Sequence, residues 1–289
     1  MIVNKLNWTS SPKAAPDLLN RLDKQLSEFY SKFDQRQDYQ ELNDNLHETD
    51  SHPNNILADQ LADYIISGGY RNVLEVGCGS GKIFGRMQSR GFKGHYTGIE
   101  MSDTVIQANR NVYPDAAWET GSVYDLGKRT DSYDCCFAFF VLEHLVYPHI
   151  GLDAMLNVVS PGGTLILIFP DVRSSGIVAS QKIGRHYGMG AKEKLRKGLI
   201  ADAVISYWEG KLMRKKLEKL NEVFGDFVIN YTPYCLDKDC HQTLPDFDAV
   251  YLASKEEVER WAKGRNCTVA YPEGKEGYLR RNAYMSIKK

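Results

Sequence analysis

The 289-residue chain carries almost no net charge, no long apolar run and no cysteine-dense framework. A formal charge of −1 argues against a surface built as a whole for nucleic acid or anionic lipid. No stretch approaches the ~18 apolar residues that a membrane span needs. The first ten residues lack the basic start and apolar centre of a secretory leader, so a cytoplasmic protein with no membrane association is expected. Six cysteines are too few and too scattered for a disulfide scaffold; Cys78, Cys135 and Cys136 read as small buried residues with free thiols. Cys235, Cys240 and His241 form a C-x4-C-H cluster that is loose for zinc and one ligand short, so no metal site is expected. What is present is a hydrophobic fraction of 43%, enough for the core of one α/β domain with additions.

Residues 1–15 are polar and read as a poorly ordered tail. From Pro16, the positions Leu18, Leu22, Leu26, Phe29 and Phe33, widened by Leu19 and Tyr30, give an amphipathic helix. A second helix runs from Pro53 through Leu57, Leu61, Tyr64 and Ile65 to Gly68-Gly69. Strands near 72–76, 95–100, 116–121, 133–140 and 163–170 then alternate with helices near 81–90, 102–112 and 149–159, the pattern of parallel β-α-β crossovers. After Pro170 the alternation breaks into two basic helical patterns, with an apolar stripe Met213, Leu217, Leu220 and Phe224. It resumes at Val250-Tyr251-Leu252, followed by a capping box from Ser254 to Glu257 and strands at 267–271 and 283–287. The expected organisation is an N-terminal tail and helical cap (1–53), a cofactor-binding core (54–170), a mainly helical insertion acting as substrate lid (171–247) and a C-terminal completion of the sheet (248–289). The fold class is a doubly wound α/β fold with a seven-stranded, mostly parallel sheet.

The chain is organised around Asn72 to Lys82. The run Val73, Leu74 and Val76 stops at Gly77, Gly79 and Gly81, and a helical pattern follows. Such a turn lets a ligand approach the main chain closely and points the free N–H groups of a helix start at it. The dinucleotide fingerprint has G-x-G-x-x-G spacing. Here the spacing is G-x-G-x-G, and Glu75 sits inside the strand, where a carboxylate suits an ammonium better than a phosphate.

With Glu75 included, this stretch resembles motif I, E/D-x-G-x-G-x-G, of the class I S-adenosylmethionine-dependent methyltransferases, whose loop wraps the methionine part of the cofactor. The resemblance covers about residues 54–170 and resumes near 248–289. It implies S-adenosylmethionine as cofactor, held by Glu75, Gly77, Cys78, Gly79, Ser80 and Gly81, with Glu100 at the end of the second strand accepting both ribose hydroxyls next to Met101. Ser122 and Val123 stand where the family places an Asp and a small residue beside the adenine; Ser122 for Asp is a departure, for which Asp125 is a substitute. Phe139 and Phe140 end the fourth strand, as pocket lining around the adenine or sulfonium or as plain core. Phe140 also occupies the position where metal-using relatives carry Glu, which disfavours metal assistance.

Val141 to Leu145 resembles the L-E-H element of small-molecule methyltransferases. His144 is the candidate general base, with Glu143 beside it, because imidazole titrates near neutrality. Its competing reading is a hydrogen bond to backbone or the orientation of Glu143. His47, His52, His186 and His241 are outside candidates. The basic insertion, with Lys182, Arg185, Lys194, Lys197, Lys211 and their neighbours, reads either as recognition of an anionic or glycan-like acceptor or as the solvated face of a helix. Methylation at oxygen is preferred, since no N/D-P-P-Y/F element follows the fourth strand. N-methylation, an NAD-type oxidoreductase and a non-catalytic binder of the cofactor stay open. Nucleic acid is not an expected partner, and no motif names the acceptor or an oligomeric state.

Overall fold

The computed structural model describes residues 6–33, 53–184, 189–238, 240, 246–272 and 281–289. Strand β1 (Trp8–Ser10) is followed by α1 (Pro16–Phe33) and α2 (Pro53–Ser67). The alternating segment follows: β2 (Asn72–Val76), α3 (Lys82–Ser89), β3 (His95–Glu100), α4 (Asp103–Val112), β4 (Ala117–Thr120), β5 (Tyr133–Phe139), α5 (Pro148–Asn157) and β6 (Val159–Pro170). Beyond it lie α6 (Val172–Ser175), α7 (Ala191–Arg196), α8 (Ile200–Glu218), α9 (Leu220–Phe224) and β7 (Val228–Asn230). Helix α10 (Lys255–Lys263) and strands β8 (Thr268–Ala270) and β9 (Asn282–Lys288) close the chain.

The main sheet has seven strands in the order β4-β3-β2-β5-β6-β9-β8, parallel except for β9, which is antiparallel to both neighbours. Period-two alternation decides which side each residue serves. Val73, Cys135 and Phe137 face α2 and α3, joining Leu61, Ile65, Ile83 and Met87. Leu74, Cys136 and Ala138 face the other side, joining Leu22, Leu152, Met155 and Trp261. Strand β2 has β3 on one side and β5 on the other, so the strand order reverses there. In open sheets of this kind the crevice beyond the carboxyl ends at that reversal is the ligand position.

Three expectations change. Within the expected tail, residues 8–10 are not loose: β1 pairs antiparallel with β7, Trp8 opposite Asn230. Trp8 is buried against Val172, Met213, Leu217 and Leu252, and its ring N–H donates to Gln181 at 3.1 Å. Burying one indole supplies what a three-residue strand cannot. Second, the resumption of the pattern at Val250-Tyr251-Leu252 is a single antiparallel bridge between Tyr251 and Ile229, outside the main sheet. Third, the capping box at Ser254 is not made. The Ser254 hydroxyl donates to Glu256, while Glu257 turns inward to accept from the Tyr251 hydroxyl and from Phe227 N at 3.0 Å. A buried phenol and an otherwise unpaired N–H outcompete the helix end for that carboxylate.

Candidate active site

The turn after β2 is shaped by its glycines. Gly77, Gly79 and Gly81 all have positive φ, at 67°, 46° and 71°. A β-carbon on Gly77 would stand 2.5 Å from a Val141 methyl, and one on Gly81 2.7 Å from the Trp118 ring, whereas one on Gly79 would meet nothing within 4 Å. Two glycines therefore serve close packing, and the third leaves open space where a ligand can lie on the main chain. The turn is tied down by Gly77 N and Cys78 N, both donating to Ile99 O at 2.8 and 3.1 Å, and by Asn109, whose side chain donates to Gly79 O at 2.7 Å. Asn109 is almost wholly buried and was not singled out by sequence; its place on the apolar side of α4 was the available signal. Cys78 is buried, Ser80 is exposed, and Gly81 caps α3 with no side-chain acceptor on the first turn.

Glu75 was expected to meet an ammonium. It is sealed beneath the turn at 2% exposure and accepts a hydrogen bond from the Tyr96 hydroxyl, so it supports the loop from behind. Loss of hydration pushes its carboxyl from the ordinary 4.5 up to about 8, despite the hydrogen bond from Tyr96. The unfolded chain ionises this group near 4.5 while the folded chain keeps its proton, so folding stability falls as pH rises from about 4.5 to about 8. The urea midpoint is accordingly expected to be lower at about pH 8 than at about pH 6. Glu75→Gln, which still accepts from Tyr96, is expected to flatten that slope; an unchanged slope would show that Glu75 is ionised throughout.

Glu100 ends β3 with its carboxylate over the turn, accepting from Gly79 N at 3.3 Å and from Met101 N at 2.8 Å. Met101 is 49% exposed beside it. Ser122 accepts from Tyr124 N at 3.3 Å and opens a 3-10 turn in which Val123 is buried. Asp125 lies in a surface ion pair with Lys128 at 2.7 Å. Phe139 and Phe140 are half-buried at the end of β5, their ring centroids 4.7 Å apart and edge to face. Phe140 has φ of 55°, a left-handed conformation that disfavours a side-chain-bearing residue by about 1–2 kcal/mol. It is held there by its N–H donating to Ile168 O at 2.8 Å.

Leu142–His144 form a 3-10 turn. His144 Nδ1 lies 3.1 Å from the Tyr30 hydroxyl and 3.6 Å from Asp248 Oδ2, and its Nε2 lies 3.9 Å from Glu143. Tyr30 donates to the same Asp248 at 3.1 Å. Burial alone would lower the imidazole pKa, but the carboxylates of Asp248, Glu143 and Asp246 outweigh it and raise the value above 6.5. Glu143 is fully buried, and loss of hydration pushes it up to about 8. Its backbone carbonyl accepts from Val250 N and Tyr251 N, both at 2.8 Å, so the segment after residue 245 is latched to this turn. Tyr30, Asp246 and Asp248 were not read from the sequence as site residues. His47, His52, His186 and His241 lie outside the described residues, as do Arg185 and the side chain of Phe33.

The basic insertion is partly neutralised by its own acids. Lys182 pairs with Asp237 at 3.2 Å, Lys197 with Glu193 at 3.1 Å, and the wholly buried Lys194 with Asp202 at 3.0 Å and Ser206 at 2.7 Å. Cys78, Cys135, Cys136, Cys235, Cys240 and Cys267 are free thiols. Among the described residues no helix is long and apolar enough to cross a membrane, and no group of three or more His, Cys, Asp or Glu is placed to hold a metal.

A strand-turn-helix glycine cradle beside a strand-order reversal, with an acid at the end of the neighbouring strand, defines a Rossmann-like nucleotide-type site. Comparison with known proteins narrows this. Residues 74–167 match the family model described as "Methyltransferase domain". The chain thus contains a class I, Rossmann-like methyltransferase domain. A curated relative from Streptomyces fradiae, an uncharacterized 37.1 kDa protein in transposon TN4556, is 29% identical over 161 residues, 49% of this chain and 47% of the relative. The chain spans about half the length of that relative. Among solved structures, the PH0226 protein of Pyrococcus horikoshii OT3 superposes with a TM-score of 0.51 at 14% identity, covering 82% of this chain and 91% of that one. The magnesium protoporphyrin IX methyltransferase of Synechocystis PCC 6803, solved with S-adenosylhomocysteine, gives 0.46 at 12% identity, over 81% and 82% of the two chains.

Proposed function

We propose that this chain transfers a methyl group from S-adenosylmethionine to the oxygen of a small acceptor in the cytoplasm. The observation that carries the reading is the cradle at Gly79, where a β-carbon would enter open space while Glu100 accepts from Gly79 N directly above the turn. Gly77 to Gly81 would hold the methionine part, Glu100 the ribose diol, and Val123 with Phe139 and Phe140 the adenine side. Bound there, the cofactor supplies a methyl on a positively charged sulfonium and leaves as the neutral thioether.

The residues of the chain position and deprotonate. Two half-buried phenyl rings at the end of β5 would exclude water and offer π faces to the positive charge. His144 takes the proton of the acceptor hydroxyl while Asp248 and Tyr30 fix its ring through Nδ1. As the acceptor O–H bond breaks, a new O–CH3 bond forms, and the proton stays on the imidazole until solvent removes it. The paired state of Lys182, Lys194 and Lys197 weighs against an anionic or glycan-like acceptor recognised by the insertion. Transfer of label from methyl-labelled S-adenosylmethionine to a pool of small hydroxylated compounds tests the proposal. Label found only in nitrogen-linked products would refute the choice of oxygen.

A further inference from the structure

Beyond the cofactor cradle, a cavity of about 140 Å³ opens at the carboxyl end of β6 and the start of β9. Its polar wall includes Glu143, Asp246 and Ser180, its apolar wall Val178, Val250 and Leu252. Glu143 is wholly buried, and neither of its carboxylate oxygens has a hydrogen-bond partner. An acid left this way is strongly disfavoured unless something supplies the missing donors. Among the described residues, three acids, Glu143, Asp246 and Asp248, crowd around the His144 imidazole. Arg281 lines the cavity too, but from its exposed rim.

We propose that this cavity receives a protonated amine carried by the methyl acceptor, with Glu143 and Asp246 as its anchors. The proposal rests on the methyltransferase reading, because it takes the cavity to be the acceptor's side of the crevice. An ammonium supplies the donors that the Glu143 oxygens lack, and a charge-assisted hydrogen bond in a dry pocket is among the stronger polar contacts. The volume suits one small group, since a cavity near this size holds about one benzene. Glu143 lies 3.9 Å from the His144 ring, so a cation held there brings the rest of the acceptor beside the proposed base. The acceptor class is thus a small amino alcohol or amino-bearing phenol or sugar, rather than an acid.

Three probes of one shape test this on the full chain: n-butylammonium, n-butanol and n-butyrate. Each is titrated by ligand-observed NMR against wild type, Glu143→Gln and Asp246→Asn, with S-adenosylhomocysteine affinity measured on the same samples and thermal melts confirming that each variant is folded. Butylammonium is expected to bind wild type about tenfold or more tighter than butanol, and that preference is expected to disappear in Glu143→Gln and shrink in Asp246→Asn. Equal binding of the three probes, a preference for butyrate, no butylammonium binding, or a preference that survives in both folded variants would each overturn the assignment. If S-adenosylhomocysteine binds while the probes fail to discriminate, only the amine site fails. If S-adenosylhomocysteine does not bind, the methyltransferase reading fails instead.

Discussion

Gly77→Ala is expected to destabilise the protein by about 2–5 kcal/mol and to remove cofactor binding. The residue has φ of 67°, where a β-carbon alone adds about 1–2 kcal/mol. That carbon would also stand 2.5 Å from a Val141 methyl, so the segment after β5 and the turn after β2 must separate, a clash of about 1–3 kcal/mol. Val141 leads directly into the Leu142–His144 turn, so the displacement reaches both halves of the site. Gly79→Ala is the informative contrast. Its φ of 46° still disfavours alanine, but its added carbon meets no protein atom within 4 Å. It should lower the denaturation midpoint much less than Gly77→Ala while weakening S-adenosylmethionine by a comparable factor. Urea melts and calorimetry on both variants separate the packing role from the ligand-facing role. A Gly79→Ala protein that binds normally would show that the open face is not the ligand's.

His144→Ala is expected to lower kcat by about 10²–10⁴-fold with little change in S-adenosylmethionine affinity. The pH profile gives the sharper signature. Because the carboxylates of Asp248, Glu143 and Asp246 raise the imidazole pKa, the basic form is a smaller share of the ring population than in a free imidazole at the same pH, and it grows with pH. The rate should therefore climb through an apparent pKa above 6.5 and level off, since only the deprotonated ring can accept the hydroxyl proton. Asp248→Asn removes the strongest of the charges that hold the proton and should move the rise to lower pH. Loss of rate in His144→Ala with an unaltered profile in Asp248→Asn would point to a packing role for the ring.

The alternating core was legible because each of its signals is local. A buried parallel strand such as β2 needs only five residues to declare itself, and the helices α3 and α4 show their apolar stripes within ten. The glycine turn was legible for the same reason: the positive φ values fall on the three residues that the spacing singled out. Strand β6 begins at Val159, earlier than read, because Pro161-Gly162-Gly163 resembles a turn; Gly162 N instead donates to Lys289 O at 3.1 Å and the segment stays in the sheet. What was not legible depends on distant chain meeting at one point. Tyr30 lies 114 residues before His144, and Asp248 lies 218 residues after Tyr30. No periodicity links a tyrosine in the apolar stripe of α1 to an aspartate in a turn-rich stretch. The β1–β7 pair was hidden likewise, its two strands being three residues each and more than two hundred apart. The basic run was legible only as a count of charges, since charge counted along a sequence does not reveal that Lys194 is buried against Asp202.

The most direct test of the account is calorimetric titration of S-adenosylmethionine and S-adenosylhomocysteine into wild type and Glu100→Ala. The site predicts micromolar binding of both ligands to wild type, with a loss of about 10–100-fold in Glu100→Ala as the two ribose hydrogen bonds disappear. Absence of binding to wild type, or equal affinity in the variant, would contradict the assignment of the Gly77–Gly81 turn and Glu100 as the cofactor cradle.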